Sequence, residues 1–428
     1  MPALSVASSL SSSEYIIPIF LGTVFATALL SARTKIPYTI MLVAVGIAIS
    51  LLSLSSFSVI GKGFTVDPKL IIDFVIPPLI FEAMMKVNYQ DFKRVRISTL
   101  LLATVGVVLA TVVAGFLLLL VAGLPFIVAF AFAALISPTD AAIVIEIFKR
   151  VRVPRLLNTL MDSEATFNDA TGIIAFSSVL AIASSAGSQL VSTQGIPESI
   201  NVDILAQVWH FAIVFFGGAG IGLAIAAATQ RLHHLMDDPF SETALTIAMV
   251  FGSVGIANSL GVSGLVAVAV AGLYFGNFTL KNEAAISERV RNAASHFWEM
   301  IAFFANSAAF LYLGVTMDMA KISQNLWIIA LAFVSVLAAR AASTYPILAL
   351  TNRFTSEKFP LVWRNIMVLG GMRGALSVAL AASLPDSDFK TTIETITFGV
   401  VLCSLVIQYL ALSGYVRKVY SKGLLKEA

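Results

Sequence analysis

The chain has 428 residues, of which 58% are apolar and only 12% charged, with a formal net charge of +3 and a mean hydropathy of +0.92. Soluble globular chains are about 45–50% apolar and about 25% charged, so an ordinary soluble enzyme, a disordered tail and a fibrous repeat are excluded. The single cysteine, Cys403, excludes an intramolecular disulfide and a cysteine-held metal cluster.

A membrane-spanning helix needs about 20 mostly apolar residues. In chain order, thirteen such segments are expected: 15–32, 37–57, 69–85, 97–122, 125–148, 156–186, 204–230, 240–259, 263–279, 293–319, 324–350, 362–384 and 391–416. The expected fold is an all-α polytopic membrane protein. The first segment reads as a span and not a cleavable signal peptide, because no Lys or Arg precedes it while Arg33 and Lys35 follow it. The longest polar stretches, 186–203 and 280–292, are loop-sized, and no appended soluble domain is expected. Asn88 to Arg96 is short and basic and is expected to lie along a membrane surface.

Loops alternated from an outside N-terminus leave only Lys62, Lys69, Lys321 and Lys390 outside. Arg340 and Arg373 fall within segments, and every other one of the 27 Lys and Arg falls inside. The positive-inside rule describes this distribution, and an odd number of spans puts the C-terminus inside. The basic excess therefore follows a membrane face, and no nucleic-acid partner is expected.

Charges at bilayer depth are costly and mark functional candidates. Glu82, Asp140, Glu146, Asp162, Glu164, Asp169, Arg340 and Arg373 fall within the segments. Glu146 lies one turn from Lys149 and Arg150, which suits a solvated or paired role. Asp162 is near a helix start, where a carboxylate suits the helix dipole. The rest are Glu82, Asp140, Glu164 and Asp169 against Arg340 and Arg373. Excess carboxylates in low dielectric favour a proton or a bound cation. A site that holds one or the other, but not both, is the minimum machinery for exchange.

Two segments carry helix breakers at mid-depth. Ser137-Pro138-Thr139-Asp140 interrupts the fifth; proline removes a backbone donor and disfavours helix before it. An unwound turn there frees carbonyls beside Asp140, and the competing reading is Asp140 as an ordinary helix cap. Gly370-Gly371-Met372-Arg373-Gly374 interrupts the twelfth, with small-residue helix packing as the competing reading. In the sixth, Glu164 and Asn168 share a helix face while Asp169 points elsewhere; interhelical ion pairing is the structural alternative. Interrupted helices in corresponding positions of two halves mark transporter sites. The fifth and twelfth segments are seven apart, which gives inverted six-helix repeats: about 15–186 and about 240–416, joined by a linker helix of about 204–230.

Ser137–Asp140, Glu164–Asp169 and Gly370–Gly374, with Pro77-Pro78-Leu79-Ile80-Phe81-Glu82, the run from Gly261, and Arg340 with Pro346, together resemble the NhaP/NHE branch of the cation–proton antiporters. The resemblance covers about residues 15 to 416. It implies a prokaryotic plasma-membrane homodimer of thirteen-helix chains that exchanges one sodium (or lithium) ion for one proton by an elevator motion, with no cofactor. It implies that Asp169 is the shared sodium and proton site, completed by Asp140, the Thr139 carbonyl and Glu82, directly or through water. Asn168 would mark the electroneutral branch, Glu164 would pair with Arg340, and Arg373 would steady the crossing helices. The family serine after the glutamate is Ala165 here, so Thr166 or a water is expected to supply the missing oxygen.

Other readings carry less. A potassium/proton antiporter or a proton-coupled solute carrier remains the alternative, although the buried groups offer mostly carboxylates to a larger solute. A channel would need a repeated filter loop, and none is visible. Gly261-Val262-Ser263-Gly264 resembles an intramembrane serine protease motif, but its only candidate partner, His296, falls at the opposite membrane face. Gly217-Gly218-Ala219-Gly220-Ile221-Gly222 lies within a span and suits small-residue packing. His210, His233 and His234 lie near span ends or in loops and are expected to be solvated.

Overall fold

The computed structural model describes residues 16–34, 36–54, 68–151, 153–185, 204–233, 238–282, 286–384 and 387–423. The stretch 186–203, Lys35, Lys62 and His234 lie outside the described residues. All regular structure among the described residues is helical. In hydrocarbon every backbone N–H and C=O needs an internal partner, and a helix supplies it within one segment. Seven of the described helices are long and apolar enough to cross a membrane: Ile17–Thr34, Tyr89–Val121, Val208–His233, Pro239–Ser259, Glu288–Thr316, Leu326–Phe354 and Phe389–Ser421. Shorter apolar helices, Tyr38–Leu51, Phe126–Ile136 and Gly264–Thr279, pack among them. Trp209, Phe216, Trp327 and Phe354 are exposed, the pattern of a surface that meets lipid.

Local chemistry sets the helix starts. Asn88 accepts from the Gln90 N–H at 2.8 Å, Asp238 from the Ser241 N–H at 2.8 Å and Ser263 from the Val266 N–H at 3.3 Å, each satisfying a first-turn donor. The cap at Asn88 corrects one expectation. Asn88 to Arg96 is not a separate surface helix: Tyr89–Leu101 runs through a π-helical turn, Leu102–Gly106, into Val107–Val121. One of its charges is tied to a segment far along the chain, since Arg94 donates to Glu357 at 2.7 and 3.0 Å.

Among the described residues, two helices are interrupted by unwound turns. Phe126–Ile136 stops and Ala142–Arg150 begins; Leu361–Leu369 stops and Ala375–Ala382 begins. Each piece has 8 to 11 residues, roughly half the length needed to span a bilayer core.

Elsewhere glycines bring backbones into contact. A Cβ at Gly272 or Gly276 would run into the Phe81 and Met85 carbonyls, one at Gly218 or Gly222 into the Ser263 and Ala267 carbonyls, and one at Gly46 into the Gly314 main chain. These contacts join Tyr38–Leu54 to Glu288–Thr316, and Gly264–Tyr274 with its π-helical extension to both Ile76–Lys86 and Ile204–His233.

Candidate ion-exchange site

The two unwound segments, 137–141 and 370–374, meet. The Asp140 N–H donates to the Met372 carbonyl at 2.8 Å. Arg373 is 2% exposed and its guanidinium donates to the Ser137 and Pro138 carbonyls at 2.5 and 2.9 Å. Those carbonyls end the helix Phe126–Ile136, the negative pole of its dipole, so a cation is favourable there. The Arg373 N–H donates to Ser404 Oγ at 3.1 Å. Gly374 is needed for close approach, because a Cβ would take the space of the Asp140 carboxylate; at Gly172 it would overlap the Pro138 ring. Asp140 Oδ1 also accepts from the Ala142 N–H at 2.8 Å. The carboxylate thus caps the second half-helix while standing at the crossing, and the two readings of Asp140 coexist.

A buried network fixes this crossing to the helix Arg155–Ser185. Glu164 and Arg340 form a two-pronged pair at 2.9 and 3.0 Å, with the residues 0% and 4% exposed. Arg340 also donates to the Met367 carbonyl at 3.4 and 3.3 Å, which anchors the first half of the second interrupted helix. Asn168 donates to Glu164 Oε1 at 2.9 Å and to Thr139 Oγ1 at 2.8 Å, and accepts from the Thr139 N–H at 3.2 Å. Its amide is thereby fully committed to holding the unwound turn against Glu164.

Beneath the crossing lies a cavity of about 1280 Å³. Glu82, Thr139, Asp140, Thr166 and Asp169 line it, while Glu164, Asn168, Arg340 and Arg373 stand behind its wall. The sequence candidates thus separate into groups that face water and groups that hold them. One wall comes from residues 38–39, 76–88 and 299–310, the other from 138–149, 155–169 and 374–377. Lys86, Lys149, Arg155 and Glu299 also line the cavity. The Lys86 and Glu299 side chains are 50% and 48% exposed, so the cavity opens at the face rich in Lys and Arg.

The carboxylates in this cavity differ in their commitments. Glu82 pairs with Lys86, whose ammonium also reaches Glu299 at 3.0 Å. Glu146 meets Arg150 at 3.5 Å and the Tyr38 N–H at 3.3 Å. Asp169 has no hydrogen bond or ion pair to any described residue, although Asp140 and Glu164 lie within electrostatic range. Thr166 donates its hydroxyl proton to the Asp162 carbonyl at 2.9 Å, leaving the oxygen's lone pairs available. Among the described residues no group of three or more His, Cys, Asp or Glu is arranged to hold a metal. Two carboxylates with hydroxyl and carbonyl oxygens suit a transient hard cation.

Sequence reasoning set Asp162 aside as a helix-start charge, yet it lines the same cavity. The signal was present: residues 162, 166 and 169 recur at i, i+4 and i+7 on one helix face. His233 is a correction. It is 1% exposed, with Nδ1 2.7 Å from Glu242 Oε2 and its ring against Phe275. The partner lies across a helix–helix connection, so local polarity gave no hint of burial. His210 is exposed. Ser263 serves as a helix cap, and His296 lies beside Glu299 at 3.6 Å.

An all-helical, multi-pass membrane protein with a carboxylate-lined cavity under two interrupted helices is a transporter, not an enzyme. The chain belongs to the sodium/hydrogen exchanger family, whose transmembrane region matches residues 19–418. It is similar to the low-affinity Na+/H+ antiporter NhaS1 of Synechocystis, 31% identical over 412 residues, covering 95% of this chain and 74% of that one. It is 30% identical over 415 residues to the Na+/H+ antiporter ApNhaP of Aphanothece halophytica, covering 97% and 75%. The Na+/H+ antiporter NhaP of Pseudomonas aeruginosa is 32% identical over 364 residues, with 82% of each chain covered. The solved structure of the sodium proton antiporter MjNhaP1 from Methanocaldococcus jannaschii shares the fold, with a TM-score of 0.76, 19% identity, and 96% and 99% of the two chains covered.

Proposed function

We propose that this chain exchanges sodium or lithium for protons, one for one, at Asp169. The observation that carries the reading is that Asp140 and Asp169 share one cavity, with the Asp169 carboxylate unpaired by any described residue. An unpaired carboxylate at membrane depth needs a proton or a cation. Sodium bound by Asp169, Asp140, the Thr139 carbonyl and Thr166 displaces the proton. Glu82, held by Lys86, acts through water. Asn168 adds no second charge beside Asp169, so one cation replaces one proton and the cycle is electroneutral.

The loaded site crosses and the bare one does not, because naked carboxylates moving past apolar surface cost several kcal/mol. The carrier group is the interrupted helices with Arg155–Ser185, travelling as an elevator against the glycine-joined helices across the cavity. The full chain forms thirteen spans in inverted six-helix repeats, works as a homodimer in a prokaryotic plasma membrane, and places the Lys- and Arg-rich face and its C-terminus inside. The cavity then opens to the cytoplasm.

The test is collapse of an imposed pH gradient in proteoliposomes, titrated with lithium, sodium and potassium. Sodium and lithium should collapse the gradient, and Asp169→Asn should abolish the effect while leaving the protein folded and monodisperse. Retained exchange in that variant refutes the assignment of Asp169.

A further inference from the structure

The helix Arg155–Ser185 presents a second carboxylate to the cavity. Asn158, Thr159, Asp162, Thr166 and Asp169 all line it, so one helix face is a polar ladder from the mouth inward. Asp162 and Asp169 are seven residues apart, about 10 Å along the axis. Like Asp169, the Asp162 carboxylate makes no hydrogen bond or ion pair with any described residue. The Lys86 ammonium is held by Glu82 and Glu299 instead.

A cation entering this cavity passes Lys86, Lys149 and Arg155, all of which line it. Like charges at a mouth lower the local cation concentration and slow entry. Glu82 and Glu299 are spent on Lys86, and Glu146 lies beside Arg150. Asp162 is a carboxylate on the inward path left uncommitted, with the Thr166 oxygen one turn further in.

We propose that Asp162 is an outer station for the transported cation, where a partly hydrated alkali ion is held before it reaches Asp169. The ion keeps most of its water at Asp162, because a single carboxylate and neighbouring hydroxyl and amide groups cannot replace a full shell. It exchanges that water for the Asp140, Thr139 and Asp169 oxygens one step deeper. The charged groups that face the station are Glu82 and Lys86 from one wall and Lys149 from the other, with Asp91, Arg155 and Glu299 further along the cavity.

This inference rests on the exchange reading above, and the experiment separates the two. Wild type, Asp162→Asn and Asp162→Glu are reconstituted, and the initial rate of sodium-driven proton movement is measured against sodium concentration. Coulomb's law over about 10 Å gives about a 2-fold effect on a cation at Asp169 in bulk-like water and about 15-fold at an effective dielectric of about 20. Asp162→Asn should therefore raise the apparent sodium KM within that range at an unchanged maximal rate. Asp162→Glu should restore the wild-type KM. In crystals soaked with thallium(I), a second anomalous peak should stand at Asp162 and vanish in Asp162→Asn. An unchanged KM, a loss confined to the maximal rate, or a single thallium peak at Asp169 overturns the station and leaves the exchange reading intact. A wild-type protein that moves no protons overturns both.

Discussion

Replacing Arg340 with alanine strips a buried carboxylate of its countercharge. Glu164 is 0% exposed, and both of its oxygens are bound by Arg340, at 2.9 and 3.0 Å. Breaking a buried pair on one side costs about 3–5 kcal/mol, because the other charge is stranded. The Met367 carbonyl loses its donors as well. Unfolding entropy is about 2.1 cal/mol/K per residue in soluble proteins, which over 428 residues gives a fall in Tm of about 3–6 °C. Spans that stay helpful to one another as helices in detergent gain less entropy on unfolding, so about 3 °C is a floor. The assay is thermal unfolding of the purified protein followed by tryptophan fluorescence. Adding Glu164→Gln should recover much of the loss, because a neutral amide no longer needs a cation, while sodium KM at low temperature stays unchanged throughout. An unaltered Tm for Arg340→Ala, or a double variant no more stable than the single one, refutes the reasoning.

Four further outcomes follow from the same geometry and the proposed stoichiometry. Asn168→Asp removes the donor to Glu164 and Thr139, losing two buried hydrogen bonds at about 1 kcal/mol each, and sets a second carboxylate beside Glu164, where like charges repel. Its Tm should therefore fall, less so in acid, and an unaffected Tm contradicts the bolt-like role of this amide; transport by the native protein should ignore a clamped membrane potential. Gly374→Ala forces a methyl group into the space of the Asp140 carboxylate, and overpacking of this kind costs about 1–3 kcal/mol. Exchange should drop sharply in folded protein, whereas wild-type rates would show that the crossing has room to spare. Thr166→Val removes the proposed hydroxyl ligand and should raise the apparent sodium KM about 2- to 10-fold; an unchanged value eliminates that ligand.

The interruptions of the two helices were legible because proline and clustered glycines act on the backbone locally. Pro138 and the glycines at 370, 371 and 374 mark the breaks whatever surrounds them. Glu164 and Asn168 were legible as a shared face, since four residues make about one turn. What escaped was which charged groups engage one another without a motif to mark them. Glu82 is engaged by Lys86, a turn away, and through it by Glu299 on another helix. His233 is buried because Glu242 meets it across a connection. The π-helical turns at Leu102–Gly106, Phe275–Thr279 and Ser404–Gln408 have no proline or shared motif to announce them, whereas the one at Ile71–Val75 is followed by Pro77 and Pro78, which remove backbone donors. Asp162 was visible in the spacing, but its value depends on the cavity, and no periodicity reveals a void.

The glycine contacts have a mechanical corollary. Where main chains touch without intervening side chains, neither helix can roll about its axis or slide by a residue without collision. The seams at Gly46, Gly218, Gly222, Gly272 and Gly276 therefore weld their helices into two stiff groups, which pack on each other through Ile76–Lys86 and Glu288–Thr316 to form the frame. The opposite wall of the cavity faces that frame across the open volume, while Phe167 of Arg155–Ser185 still packs beside Phe215 of the frame. Under the proposed elevator cycle, displacement falls at that gap, and the candidate ion site rides on the side opposite the frame.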